Sequence, residues 1–178
     1  MHNDVEKILF DEEQIKKRIA ELGTEITKDY KGKKLLCLGT LIGSFIFASE
    51  LVKHIDLPIR VDFLAASSYG SSSVSSGDVK ITRDIDFDIS SYDVLIIEDI
   101  IDTGFTLSRI TKILKDRSPK SVKICTLLDK PARRRVSLTA EYTGFTVPDE
   151  FIVGYGLDFN NKYRNLPYIG VLKPEIYN

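Results

Sequence analysis

The chain has 178 residues, 43% of them hydrophobic and 29% charged. This is the composition of one ordinary globular domain and excludes a disordered, fibrous or low-complexity chain. Lys and Arg number 25 against 26 Asp and Glu, a net charge of −1, which argues against a dedicated nucleic-acid binder. Apolar runs such as Val94-Leu95-Ile96-Ile97 fall far short of the about 18 residues that span a bilayer. The opening Met1-His2-Asn3-Asp4-Val5-Glu6 lacks a basic and an apolar region, so no signal peptide is expected. Cys37 and Cys125 stand alone inside apolar runs, the pattern of buried reduced thiols in a cytoplasmic protein. His2 and His54 are equally isolated, which leaves a zinc enzyme or a Ser-His-Asp hydrolase without support.

In chain order, Asp11 and Gln14 have the spacing of a helix capping box. Ile15, Ile19, Leu22 and Ile26 then recur on one helical face. Leu35 to Leu38 reads as a buried strand, and Gly43-Ser44 opens a helix ending near His54. Ile59 to Ala66 is the next strand, followed by a Ser- and Gly-rich stretch to Asp78 and a half-exposed strand over Val79 to Phe87. Val94 to Ile97 and Val122 to Leu128 are buried strands flanking a helix over Thr103 to Arg117, which Pro119 stops. Apolar strands alternating with helices predict an α/β fold with a mostly parallel twisted sheet flanked by helices. After Glu141 the pattern changes to short strands among turns, Phe151 to Val153 and Tyr168 to Leu172. The division expected is a single domain over 1–178, with a core over about 11–140 and a small hood lobe from about 1–10 and 141–178. Ligands of such sheets bind beyond the carboxyl ends of the strands.

The stretch from Val94 to Leu107 carries the chemistry. An apolar strand runs into the adjacent acids Glu98 and Asp99, then Asp102, then Thr103-Gly104-Phe105-Thr106 opening a helix. Backbone N–H groups at a helix start, two hydroxyls and a glycine make a site for a phosphate monoester. The acid pair suits ribose hydroxyls, or a Mg²⁺ shared with the ligand. A phosphate and hydroxyls together mean a sugar phosphate.

This stretch resembles the signature of the type I phosphoribosyltransferases. Further segments at 41–51, 67–81, 127–134 and 148–172 extend the resemblance over most of the chain and narrow it to the hypoxanthine-guanine phosphoribosyltransferases. The resemblance implies Mg²⁺-dependent transfer of a phosphoribosyl group from phosphoribosyl pyrophosphate to N9 of hypoxanthine or guanine, releasing pyrophosphate. It also implies a homodimer or homotetramer, with neither nucleic acid nor membrane as partner.

Residue roles follow the same resemblance. Glu98 and Asp99 match acids that bind ribose hydroxyls and metal, and Asp102 matches a general base acting on the purine. Asp102, Thr103, Gly104, Phe105 and Thr106 match the 5′-phosphate loop. Lys130 matches the lysine that contacts the 6-oxo group, and Phe151 and Ile152 match the residues that stack on the purine and meet its edge. Asp158 matches the carboxylate of a second Mg²⁺, and Arg164 the arginine that contacts pyrophosphate. Ser68 and Tyr69 match the Ser-Tyr of a closing loop. Gly43 ends the pyrophosphate loop, where the family usually has Leu-Lys-Gly and this chain has Leu41-Ile42-Gly43; Ile42 supplies no charge. Two other readings stay open at this point. One is a xanthine preference. The other is a nucleic-acid-binding regulator that keeps the sugar-phosphate site and uses Arg133-Arg134-Arg135.

Overall fold

The computed structural model describes residues 2–68 and 79–177. Strand β1 (Val5–Phe10) leads to helix α1 (Glu12–Asp29), and β2 (Leu35–Leu41) leads to α2 (Phe45–Leu51). Strands β3 (Ile59–Ser68), β4 (Val79–Arg83) and β5 (Asp93–Ile101) precede α3 (Phe105–Lys115) and β6 (Ser121–Asp129). The chain closes with β7 (Tyr142–Thr146), β8 (Ile152–Val153), β9 (Ile169–Leu172) and the short helix α4 (Pro174–Tyr177). Six strands form one sheet in the order β4-β3-β2-β5-β6-β7, parallel except for β3 with β4. The other three form a small antiparallel sheet, β1-β9-β8. The expected α/β architecture with its mostly parallel sheet is what the chain adopts.

Residue parity along the central strands explains the layers. Leu35, Cys37, Leu95, Ile97, Cys125 and Leu127 pack in one core with the inner faces of α1 and α2. Leu36, Leu38, Val94, Ile96 and Ile124 pack on the other side with Leu107, Ile110 and Leu114 of α3. Alternate side chains point to opposite faces of a strand, so an unbroken apolar run is what a sheet covered on both faces requires. Both thiols are free and buried in the first of these cores, and burial pushes the Cys37 thiol up to about 12. Burial raises Cys125 as well. Among the described residues, no helix is long and apolar enough to cross a membrane.

Helix α1 starts where the capping box indicates. The Asp11 carboxylate accepts from the Gln14 N–H at 2.8 Å, and the Gln14 side chain accepts from the Asp11 N–H at 3.0 Å. Its buried face is Ile15, Ile19, Leu22 and Ile26. Other boundaries differ from the sequence pattern. The α2 helix stops at Leu51 and continues to His54 as a 3₁₀ turn. Strand β4 ends at Arg83 because Asp84 turns to a two-pronged ion pair with Arg117, at 2.8 and 2.6 Å. Ile85 and Ile89 then drop into the core. The sequence division at 141 does not follow the strands, since Tyr142–Thr146 extends the large sheet beside β6. The segment Tyr-Thr-Gly-Phe-Thr has no apolar run to announce a strand; pairing with β6 supplies what its own pattern lacks. The small sheet is held by a separate cluster of Val5, Val153, Tyr163 and Leu172.

Candidate active site

Parallel register brings several strand ends to one edge of the large sheet. Gly39 of β2 lies beside Ile97 of β5, and Ile101 of β5 lies beside Asp129 of β6. The loop after β2, the acids at the end of β5 and Lys130 after β6 therefore share that edge. The peptide between Leu41 and Ile42 is cis, and the Ile42 side chain is 60% exposed. Gly43 brings the backbone of this loop against the acid pair: a Cβ there would lie 1.8 Å from Oδ2 of Asp99, so any side chain would displace that carboxylate.

Glu98 and Asp99 are half-buried. Burial raises both carboxyls above their ordinary range, and the Asp99 charge raises Glu98 further. The Ile100 N–H donates to Asp99 at 2.9 Å and favours its ionised form. Such a pair gains from meeting hydroxyl donors or a divalent cation. Among the described residues, no three His, Cys, Asp or Glu side chains converge into a closed metal cage. A hard cation that keeps waters and ligand oxygens and takes only one or two carboxylates fits this arrangement.

The next turn forms a cavity of about 180 Å³, lined by Glu98, Asp102, Thr103, Gly104 and Thr106 among others. Gly104 caps α3 from the left-handed region at φ 85°, and a Cβ there would meet Val136 at 2.9 Å. No side chain caps the helix start, so its N–H groups face the cavity side of the turn unclaimed by a cap. Phe105 does not line the cavity; its side chain is 41% exposed.

A second cavity, of about 520 Å³, adjoins it and is lined by Asp102, Lys130, Phe151, Ile152 and Asp158 together with residues of the small sheet. Lys130 is buried, and its ammonium donates to the Glu150 carbonyl at 2.8 Å. Glu150 in turn pairs with Lys7 of β1 at 2.6 Å. Phe151 already carries Tyr177 stacked on its ring at 4.8 Å and Phe159 against it edge-on at 5.4 Å. Ile152 is fixed by pairing with Val171 in the small sheet. Arg164 and Asp158 meet at 2.7 Å, and Arg164 also donates to the Gly156 carbonyl at 2.7 Å. Left-handed residues at Gly154, Tyr155, Gly156, Asn160, Asn161 and Tyr163 coil the loop that holds this pair. Ser68 closes β3 by pairing with Val79, whereas Tyr69 lies outside the described residues.

A model of the phosphoribosyl transferase domain matches residues 6–160. The chain belongs to the phosphoribosyl transferase family. It is 52% identical to the hypoxanthine-guanine phosphoribosyltransferase of Bacillus subtilis (strain 168), covering 99% of this chain and 98% of that protein. It is also 53% identical to the bifunctional protein TilS/HprT of Listeria innocua, of whose length it spans only 28%. The solved hypoxanthine phosphoribosyltransferase from Staphylococcus aureus superposes with a TM-score of 0.97 at 52% identity, covering 100% of this chain and 97% of that one. A Trypanosoma cruzi hypoxanthine phosphoribosyl transferase gives 0.95 at 40% identity, covering 99% and 96%. The six-stranded sheet with its small antiparallel partner is thus the phosphoribosyl transferase architecture.

Within that architecture, sequence reasoning missed Arg133, Asp149, Glu150 and Tyr177, all of which line the larger cavity. Glu150 stands directly before Phe151, so its carbonyl was the nearest acceptor for a lysine aimed at that strand. Arg133 was read only as part of a basic run. The structure pairs two members of that run with acids, Arg133 with Asp102 at 3.2 Å and Arg134 with Asp129.

Proposed function

We propose that the chain transfers the 5-phosphoribosyl group of phosphoribosyl pyrophosphate to N9 of hypoxanthine or guanine, giving IMP or GMP and pyrophosphate. One observation carries this reading: a phosphate-sized turn, a half-buried acid pair and a purine-sized cleft adjoin along one sheet edge.

The turn from Asp102 to Thr106 receives the 5′-phosphate through its N–H groups and hydroxyls. Glu98 and Asp99 accept from the ribose hydroxyls. Mg²⁺, when bound, neutralises pyrophosphate charge, and Glu98, Asp99 and Asp158 are the carboxylates that would hold it. Arg164 offers a fork of donors to pyrophosphate. The base lies against the remaining surface of Phe151, with Ile152 at its edge. Lys130 exchanges the Glu150 carbonyl for the 6-oxo group. An ammonium only donates, so the 6-amino group of adenine would leave two donors facing each other in a closed site. As the N9–C1′ bond forms, the bond from C1′ to pyrophosphate breaks and pyrophosphate leaves with its electron pair. The purine ring proton passes to the Asp102 carboxylate.

Two further parts of the reading have their own support. Ile42 and Phe45, 60% and 40% exposed near the start of α2, offer apolar surface for a homodimer or homotetramer contact. The free buried thiols suit a reducing cytoplasm. The test is a base screen with phosphoribosyl pyrophosphate and Mg²⁺, following nucleotide formation. Hypoxanthine and guanine should turn over and adenine should not. Turnover of xanthine in preference to both would replace the substrate assignment, and no turnover of any base would overturn the reading.

A further inference from the structure

The 3₁₀ turn Pro131–Arg133 follows Lys130 directly and is suspended from the phosphate turn. The Arg133 N–H donates to the Lys130 carbonyl at 3.2 Å, and the Arg135 N–H donates to the Thr103 carbonyl at 3.0 Å. This anchorage sets the Arg133 guanidinium between two loops. Its Nε lies 3.2 Å from Oδ1 of Asp102, and its Nη1 lies 3.7 Å from Oδ1 of Asp149. The Asp102 side chain is 40% exposed, yet its Oδ1 is shielded from solvent and makes no aligned hydrogen bond. The covered oxygen faces Arg133, and Asp102 itself lines the cleft.

We propose that Arg133 is a positioning residue for the transfer reaction: it fixes one oxygen of Asp102 so that the other faces the purine ring, and it ties the loop carrying Phe151 to the phosphate turn through Asp149. This rests on the reading of Asp102 as proton acceptor. A carboxylate free to rotate presents either oxygen in many orientations, whereas one held from behind presents a single oxygen to the incoming N–H. Arg133 touches no reacting atom in this account; it acts through Asp102. Lys130, one turn earlier, fixes the opposite side of the ring, so a single short segment sets both polar contacts of the base. The guanidinium is half exposed, and its removal leaves the core untouched.

A double-mutant cycle on the full chain tests this. Arg133→Ala, Arg133→Lys, Asp102→Asn and the double variant Arg133→Ala with Asp102→Asn are compared with hypoxanthine and phosphoribosyl pyrophosphate varied separately. Arg133→Ala should lower kcat/KM for hypoxanthine about tenfold while phosphoribosyl pyrophosphate KM stays within about twofold. Arg133→Lys should recover part of the loss. In the Asp102→Asn background, most of the Arg133→Ala loss should vanish, because the carboxylate it positions is gone and only the tie to Asp149 remains. An equal loss in both backgrounds, or no loss with Asp102 intact, overturns the proposal. Near-normal turnover by Asp102→Asn alone would instead remove Asp102 as proton acceptor, and the proposal with it.

Discussion

Individual side chains in this cleft are defined by the partner they hold before substrate arrives. Lys130 rests on the Glu150 carbonyl, so in the proposed reaction a 6-oxopurine would replace one acceptor with another and leave no donor orphaned. Lys130→Ala should raise the KM for hypoxanthine by about 10- to 100-fold, the cost of a hydrogen bond from a charged donor. Phosphoribosyl pyrophosphate KM should stay nearly constant; a loss confined to the sugar substrate would take Lys130 out of the base site. Glu98 makes a prediction about stability. Burial, with the Asp99 charge alongside, raises its carboxyl well above the ordinary 4.5. The folded chain binds that proton more tightly than the unfolded chain, so this group withdraws stability as pH climbs from 4.5 through its raised value. Glu98→Gln removes the titration. Without ligand, the variant should gain on the wild type in thermal unfolding as pH climbs above 4.5, and parallel curves would refute this.

At the scale of elements, close approaches decide more than propensities. Gly23 sits in the middle of α1, where alanine ordinarily gains about 1 kcal/mol. A Cβ there would lie 2.4 Å from the Cβ and 2.6 Å from the carbonyl oxygen of His54. Gly23→Ala should therefore lose about 1–3 kcal/mol in chemical denaturation, overpacking outweighing propensity; a gain would show that the 3₁₀ turn yields freely. This is also where the sequence was least legible. The capping box and apolar stripe of α1, and the unbroken runs of β2, β5 and β6, could be read from spacing alone, because those signals are local. The change from α to 3₁₀ winding at the end of α2 and the end of β4 could not. They are set by His54 meeting Gly23 and by Asp84 meeting Arg117, contacts between residues 31 and 33 positions apart. Strand β7 is strand only because β6 is beside it. The cleft divides the same way. Glu98 to Thr106 is contiguous, so its acid pair and the Asp102–Thr106 turn could be picked out together, whereas the resting partners of Lys130, Asp102 and Asp158 come from three separate loops.

For the whole molecule, the large and small sheets meet across the cleft at a backbone contact. Gly156, at φ 104°, lies so near the loop after β2 that a Cβ would stand 2.1 Å from the Gly43 carbonyl oxygen. The small sheet is braced from the far side by Asp4, which accepts from the Tyr163 hydroxyl at 2.7 Å, and by Lys7 with Glu150. Gly156→Ala should push the two lobes apart at the pyrophosphate end. The expected result is weaker pyrophosphate product inhibition by about tenfold, with hypoxanthine KM changed much less. Equal loss for both ligands would mean that the lobes separate as one rigid hinge instead.

The two thiols give the molecule a built-in clock. The chain contains no Trp, so the usual fluorescent report of unfolding is missing. Cys37 and Cys125 lie in the core between the sheet and α1 with both sulfurs held protonated, and a protonated, enclosed sulfur does not attack a disulfide reagent. Each can react only after the strand that carries it has left the sheet. Labelling by an aromatic disulfide should thus follow the opening of β2 and β6, with one shared rate if the central strands separate together and two rates if they do not. On the proposed function, saturating phosphoribosyl pyrophosphate should slow that labelling, since a ligand of the folded chain alone holds the sheet closed. Rapid labelling unaffected by ligand would mean that the sheet breathes without releasing its edge.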